Sequence, residues 1–344
     1  MKEALLWDKA SGGAVICKLC AHKCRIAPDR RGICTVRAND GGVLRTCVYG
    51  RAIAEHVDPV EKKPLYHFLP SSETYSVATV GCNFKCAFCQ NWGISQSAGL
   101  RKDDVERIDQ SGIAMPPQRV VDVALKYMCR SISFTYTEPT VFFEYALDTA
   151  RIAKDAGLKT VFVSNGYMSK ECIDAVAPYL DACNIDLKSF SDGFYKTHCG
   201  ASLYPVLESL KAIREAGIWL EVTTLVIAGE NDSDEELAGI ARFIADELGR
   251  DTPWHVSRFF PQYHMSDRLA TGVQSIDRAL NLGRGAGLRY VYAGNVDLAQ
   301  DTLCPKCGET VMRRQGYRTD ADGLSTDGGA GRCRGCGAEI CGIF

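Results

Sequence analysis

Tyr75-Ser76-Val77-Ala78-Thr79-Val80-Gly81-Cys82-Asn83-Phe84-Lys85-Cys86-Ala87-Phe88-Cys89 joins an apolar, strand-like run to three cysteines spaced Cys-x3-Cys-x2-Cys. Cysteines this close most often mark structural zinc. Zinc wants four ligands, however, and no fourth Cys or His lies near the trio; the nearest histidine, His67, stands upstream of the strand. Three thiolates on one short loop can instead hold three irons of a [4Fe–4S] cube and leave the fourth iron open to a non-protein ligand. The spacing favours a cluster loop at the end of a strand.

Outward from this loop the chain alternates strand and helix. Val120, Val121, Ala124 and Tyr127 recur at helical spacing and predict a helix over Pro117 to Tyr127. Strands are expected at Ser131 to Tyr136, Lys159 to Ser164, Ala182 to Leu187, Ile218 to Ala228, Trp254 to Phe260 and Leu288 to Ala293. Helices are expected between them: from Pro139 to about Gly157, near Lys170 to Tyr179, at Pro205 to Ala216, from a capping box at Ser233 to Leu248, and around Ile276 to Leu282. About six or seven βα units imply a parallel sheet covered by helices. The expected fold class is α/β, a partial (β/α) TIM-like barrel. Chemistry in such barrels sits at the C-terminal ends of the strands, where the Cys82 loop falls. A small Cys-rich metal-binding module over residues 1–74 would precede a barrel over 75–300, and a second Cys-rich module over 301–344 would follow it.

A chain of 344 residues accommodates one barrel with small appendages. Its net charge of −2 gives no bulk pull toward nucleic acid or membrane, and no apolar run approaches a transmembrane span. The N-terminal residues contain no apolar signal-like stretch, so the expected compartment is the cytoplasm. Seventeen cysteines then point to metal rather than disulfides.

Cys304-Pro305-Lys306-Cys307-Gly308 and Cys333-Arg334-Gly335-Cys336-Gly337 read as the two knuckles of a zinc ribbon, with a rubredoxin-like iron site as the rival. Near the N-terminus, Cys17-x2-Cys20-x3-Cys24-x9-Cys34 supplies four ligands, with His22 and Cys47 in reserve. This set leans to a second metal site holding zinc, and an auxiliary iron–sulfur cluster is the alternative. Cys129, Cys172, Cys183 and Cys199 are scattered and read as small core residues.

Several strand ends carry polar residues where a core would have none. Glu138 ends the second strand, where it can cap the next helix or accept hydrogen bonds from a ligand amino group. Asn165 precedes Gly166 and serves either a turn or a ribose or carboxylate. Alternation puts Asp186 and Lys188 on one side of their strand and Leu187 on the other, as a structural ion pair or part of a ligand site. Arg258 and Asn295 are weaker candidates of the same kind. The glycine-rich Gly283-Arg284-Gly285-Ala286-Gly287 follows a helix, so it lacks the context of a dinucleotide-binding loop.

The chain also resembles a known family. Gly81 to Trp92, with Phe88 before the third cysteine, is the radical S-adenosylmethionine signature. Asp58 to Pro70, Tyr136-Thr137-Glu138-Pro139-Thr140, Ser164-Asn165-Gly166-Tyr167, Asn184 to Lys188, Trp254 to Pro261 and Tyr290 to Asn295 resemble the AmmeMemoRadiSam system radical SAM enzyme family, close to the glycyl-radical-enzyme (pyruvate formate-lyase) activating enzymes. The resemblance implies that Cys82, Cys86 and Cys89 ligate a [4Fe–4S] cluster and that Phe88 packs near adenine. It implies that Glu138 holds the amino group of S-adenosylmethionine, that Asn165 belongs to a Thr-Asn-Gly-like motif, and that Asp186 and Lys188 contact ribose and carboxylate. Tyr136-Thr137 stands where the wider superfamily has two glycines. The implied activity is reductive cleavage of S-adenosylmethionine to a 5′-deoxyadenosyl radical, which takes hydrogen from a substrate. A protein substrate is favoured, with a Memo-type or Ammecr-type protein as candidate partner and a reductant protein such as flavodoxin or ferredoxin. A small-molecule substrate, a multi-centre electron carrier and a metal-dependent binding protein are the alternatives.

Overall fold

The computed structural model describes residues 1–96, 108–298, 300–326 and 330–344. An eight-stranded sheet forms its centre, with the strands adjacent in chain order. They are β1 (Ala54–Pro59), β2 (Glu73–Ala78), β3 (Ser131–Phe134), β4 (Lys159–Ser164), β5 (Ala182–Asp186), β6 (Trp219–Val226), β7 (Trp254–Arg258) and β8 (Val291–Gly294). β2 to β8 are parallel. β1 pairs antiparallel with β2, so residues expected with the N-terminal module extend the sheet backwards across residue 74. β1 and β8 end the strand order, which leaves the sheet open.

Helices α1 (Pro117–Lys126), α2 (Phe143–Asp155), α3 (Lys170–Val176), α4 (Leu203–Glu215), α5 (Asp234–Phe243) and α6 (Val273–Gly285) connect the parallel strands. The Ser169 and Ser233 hydroxyls cap α3 and α5 by accepting from the N–H groups of Cys172 and Glu236. Alternation along the strands divides the sheet into two faces. Tyr75, Val77, Ile132, Phe134, Phe162, Cys183, Ile185, Val222 and Val256 join the main core beneath the helices. The intervening Thr74, Ser76, Ser133, Asn184, Glu221, Thr223 and His255 are also buried. They satisfy one another, as where the Thr223 hydroxyl donates to Asn184 Oδ1 at 2.9 Å.

That polar face is covered by the segment after β1. Val60, Leu65, Phe68 and Leu69 pack on Val161 and Ala182 of β4 and β5. Four donors converge on the buried carboxylate of Glu221: Tyr66 N–H (3.0 Å), His67 N–H (2.8 Å), Trp219 Nε1–H (3.0 Å) and His255 Nε2 (2.6 Å). Burial alone would raise the pKa of Glu221; His255, His67 and the Tyr66 N–H outweigh it and hold the carboxyl below its usual value. The C-terminal tail docks on the same segment, with Leu69 N–H donating to Ile343 O at 2.7 Å and Ile343 N–H to His67 O at 2.8 Å.

Burial pushes the pKa of His67 down to about 4. Its Nδ1–H can donate to Cys341 O (2.7 Å) while Nε2 accepts from the Tyr292 hydroxyl (2.6 Å), which is the pattern of a neutral ring. An unfolded histidine titrates near 6.5, so this contribution to stability is complete above that pH and is lost as pH falls toward the folded value. The expected loss between pH 7 and pH 5 is about 2 kcal/mol. Thermal melts of wild type and His67→Gln across this range test it; parallel pH dependences in the two proteins would refute it.

Candidate cluster and cofactor site

The chain leaves β2 through Gly81, whose φ is +98°. A Cβ there would lie 2.6 Å from Val36 Cγ1 and 3.1 Å from Cys34 O, so only glycine fits between this loop and the N-terminal module. The cysteine loop that follows is strapped from outside. Lys85 N–H and Ala87 N–H donate to the carbonyls of Cys199 and His198, both at 2.8 Å, at the end of a π-helical turn over Tyr195–Cys199. His264 N–H donates to Ala87 O at 2.9 Å. The loop therefore holds its shape through backbone bonds, while its three sulfurs make only weak contacts, as Cys82 Sγ with Phe84 N–H at 3.4 Å and Cys89 Sγ with the Ser95 hydroxyl at 3.2 Å.

Cys82, Cys86, Phe88, Cys89, Glu138, Asn165, Asp186 and Lys188 all line one cavity of about 2850 Å³, part of it open to solvent. Arg258 and Asn295 line it as well. Burial pushes the thiols of Cys82 and Cys89 up, and a hydrogen bond to Cys199 does the same to Cys86. Thiolates at these positions need nearby positive charge. Lys188 contributes some: its Nζ lies 2.7 Å from Asp186 Oδ2 and 5.8 Å from the centre of the Phe88 ring. Burial would lower the pKa of Lys188, but Asp186 and the thiols of Cys86 and Cys199 outweigh it and push it well up, so the lysine stays charged.

Glu138 acts as a hub between strand ends. Its Oε1 accepts from Thr140 N–H (3.0 Å), the Thr140 hydroxyl (2.6 Å) and the Ser164 hydroxyl (2.8 Å), and its Oε2 accepts from Asn165 N–H (2.8 Å). Three of these bonds crowd Oε1 and one falls on Oε2, which leaves a lone-pair direction of Oε2 for a further donor. The Asn165 side chain is also engaged, with Nδ2 donating to Asn83 Oδ1 at 2.8 Å.

Tyr136 takes the left-handed conformation, with φ +62°, and β3 stops two residues before it. This is backbone that glycine adopts freely and tyrosine adopts under constraint, at a cost of about 1–3 kcal/mol. The constraint is visible: the Tyr136 hydroxyl bonds to Asp58, its ring lies 4.6 Å from Lys63 Nζ, and Asn91 Nδ2 donates to its carbonyl at 2.7 Å. The aromatic side chain anchors a turn that two glycines would otherwise make. Lys63, Tyr66, Thr223, His255 and Ser257 also line the cavity and were not anticipated. For His255 and Ser257, alternation along β7 carried the signal.

The two outlying cysteine sets differ in geometry. Among the described residues, Cys304, Cys307, Cys333 and Cys336 alone form a group of three or more Cys, His, Asp or Glu whose ligand atoms all lie within 4.8 Å of one another. Their sulfurs pair at 3.6 Å (Cys304–Cys336) and 3.7 Å (Cys307–Cys333). Tetrahedral zinc with bonds of about 2.3 Å spaces thiolates by roughly 3.8 Å, so the set fits one four-coordinate ion. Burial would push the Cys304 thiol up, but the backbone N–H groups of Cys307 and Lys306 outweigh it and bring it to about 6. The module's core is small: Cys304, Val311, Met312, Leu324, Cys333 and Ile340, two of them ligands. Chelation is therefore expected to release one metal ion and melt residues 301–344 while the central sheet stays folded. Hydrogen exchange read segment by segment checks this, and unchanged protection of that segment after metal loss would sink it. Cys17, Cys20, Cys24 and Cys34 line a second, smaller cavity of about 330 Å³, part of it open to solvent. Cys47 is not among its walls; its sulfur lies 3.3 Å from Arg31 Nη1.

A helix-covered parallel sheet with three cysteines on the loop after its first parallel strand defines a class. The sequence profile of the Radical SAM superfamily matches residues 76–244. "Uncharacterized protein MJ0808" of Methanocaldococcus jannaschii is 42% identical over 99% of both chains. The chain belongs to the Radical SAM superfamily. More distantly, it is 22% identical to the pyruvate formate-lyase 1-activating enzyme of Escherichia coli, over 48% of this chain and 66% of that one. In structure it is similar to a radical SAM methyltransferase from Sphaerobacter thermophilus, with TM-score 0.50 and 17% identity over 66% of this chain and 67% of that one. The family implies a [4Fe–4S] cluster and S-adenosylmethionine, and three thiols on one loop beside a polar-lined cavity fit that pair. Among the described residues no helix is long and apolar enough to cross a membrane.

Proposed function

We propose that this radical SAM enzyme acts on a partner protein, in the manner of an activating enzyme. One observation carries the reading: the three loop cysteines and the polar ends of β4 and β5, with Glu138, open into a single wide cavity. When bound, the cluster and S-adenosylmethionine supply reductive carbon–sulfur cleavage and a 5′-deoxyadenosyl radical that takes hydrogen from the substrate. The protein's own part is to bind, orient and exclude water. Cys82, Cys86 and Cys89 would hold three irons. Glu138 would fix the ends of β3 and β4 and, with the Ser164 hydroxyl, receive the methionine amino group. The Asp186–Lys188 pair would meet ribose and carboxylate, and Phe88 would pack near adenine.

The protein-substrate reading is supported by the width and openness of the cavity and by the distant likeness to activating enzymes. In this reading the chain is of the AmmeMemoRadiSam type, works in the cytoplasm, and takes its electron from a flavodoxin-like or ferredoxin-like protein. Its substrate or partner is a Memo-type or Ammecr-type protein. The sheet serves as a partial TIM-like barrel over residues 75–300, extended by the Ala54–Pro59 strand from the module at 1–74 and followed by the module at 301–344, and the C-terminal module is a zinc ribbon. The test is anaerobic: reduce the reconstituted protein, add S-adenosylmethionine, record the EPR spectrum and quantify 5′-deoxyadenosine, with and without candidate partner proteins. The expected result is a perturbed spectrum and product whose rate rises with the true partner. An unperturbed spectrum without product would leave an electron carrier.

A further inference from the structure

We infer that Cys17, Cys20, Cys24 and Cys34 hold a second iron–sulfur cube rather than a zinc ion. The four cysteines come from separate pieces of the N-terminal module. Cys17 ends the strand Val15–Cys17, Cys20 and Cys24 flank a tight turn, and Cys34 sits on the loop before Val36. They converge on one cavity, whose other walls include Ile26, Arg37 and Asn83. This converging set is built as a ligand site, and its dimensions decide which ligand.

Zinc draws its thiolates to roughly 3.8 Å of one another. The C-terminal set has that spacing already, at 3.6 and 3.7 Å. The N-terminal set does not: among the described residues, no three of its sulfurs lie within 4.8 Å of one another. The sulfurs of Cys82, Cys86 and Cys89, on the loop that carries the family's cluster, share this wider spacing. A cube keeps its ligands apart by its own width, and the N-terminal sulfurs, like those of the central loop, stand wider than a single zinc ion would hold them.

A second, independent feature points to the same occupant. Arg37 Nε and Asn83 Nδ2 are buried donors with no partner, and both residues line the cavity. Arg37 is 2% exposed and Asn83 0%. An unpaired buried N–H costs about 1–3 kcal/mol unless something accepts from it. The other donors of Arg37 are engaged: Nη1 with Glu144 at 2.9 Å and Nη2 with Leu5 O at 2.7 Å. The sulfurs of a cube are acceptors of the kind that buried N–H groups tune. Asn83 also adjoins Cys82, and its carbonyl accepts from His22 Nε2 at 2.8 Å, so the two sites are neighbours through one residue.

Inorganic sulfide is the deciding readout, because cubes carry it and zinc or rubredoxin-type iron does not. Anaerobically reconstituted wild type is expected to contain about eight sulfides per chain, and the Cys82→Ala/Cys86→Ala/Cys89→Ala variant about four. Adding Cys20→Ser and Cys34→Ser to that variant should remove the rest. About four sulfides in wild type and none in the triple variant would overturn the inference, whatever the zinc content. About four in both proteins would keep the N-terminal cube and remove the central one, which separates this inference from the proposed function. The wild-type count needs no variant to fold.

Discussion

Alanine at Cys86 is expected to reduce 5′-deoxyadenosine formation to background and to abolish the S-adenosylmethionine-sensitive EPR signal, with little loss of fold. Two thiolates leave the cluster short of an anchor, and the loop carries no His or Cys besides Cys82 and Cys89 to replace it. The loop itself stays in place, since its straps are backbone bonds from Lys85 and Ala87. Removing one small buried thiol costs on the order of 1 kcal/mol. One neighbour complicates the experiment. The Cys199 thiol is hydrogen-bonded to Cys86 and buried beside it, so it can stand in as a ligand. The informative comparison is Cys86→Ala against Cys86→Ala/Cys199→Ala. Activity that persists in the single variant and vanishes in the double identifies Cys199 as a substitute ligand. Full activity in the double variant would remove Cys86 from the ligand set.

The largest loss of stability is expected at Glu221, on the covered polar face of the sheet. Alanine there orphans two backbone N–H groups, an indole N–H and the His255 imidazole at once. Breaking a buried charged network of this kind costs about 3–5 kcal/mol. In a chain of this size that is a fall in melting temperature of about 4–7 °C. The damage should spread in a defined direction. Glu221 fixes Tyr66 and His67, and these hold the C-terminal tail and Arg314, whose Nη2 donates to Tyr66 O at 2.9 Å. Limited proteolysis is therefore expected to release residues 301–344 earlier from Glu221→Ala than from wild type. Glu221→Gln keeps one acceptor oxygen and should fall between the two. A variant that melts with wild type and keeps its tail would refute this account.

The alternation of strands and helices was legible because it rests on local periodicity. Lys159–Ser164 and α1 run within a residue of expectation. The departures have identifiable causes. β1 was missed because its residues, Ala54-Glu55-His56-Val57-Asp58-Pro59, lack a clean alternation and are defined by pairing with β2. β3 ends early because Tyr136 is turned by a bond to Asp58, 78 residues away. The candidate site was legible at its cysteines and at the polar strand ends, which violate the apolar pattern around them. The Glu138 hub was half legible: its capping of the Pro139 turn is local, whereas its bond to Asn165 N–H spans 27 residues.

What the sequence by itself determined is the inventory: the strand–helix rhythm, the three-cysteine loop at a strand end, and three cysteine sets on one chain. These are properties of neighbours along the backbone. Only the tertiary structure decided how the segment around Tyr66 and His67 covers the polar face of the sheet, because Glu221 and its partner Tyr66 stand 155 residues apart. It also decided what distinguishes the cysteine sets from one another. Cys-x2-Cys spacing is shared by zinc and iron–sulfur sites, whereas the distance between sulfurs from separate segments depends on how those segments pack.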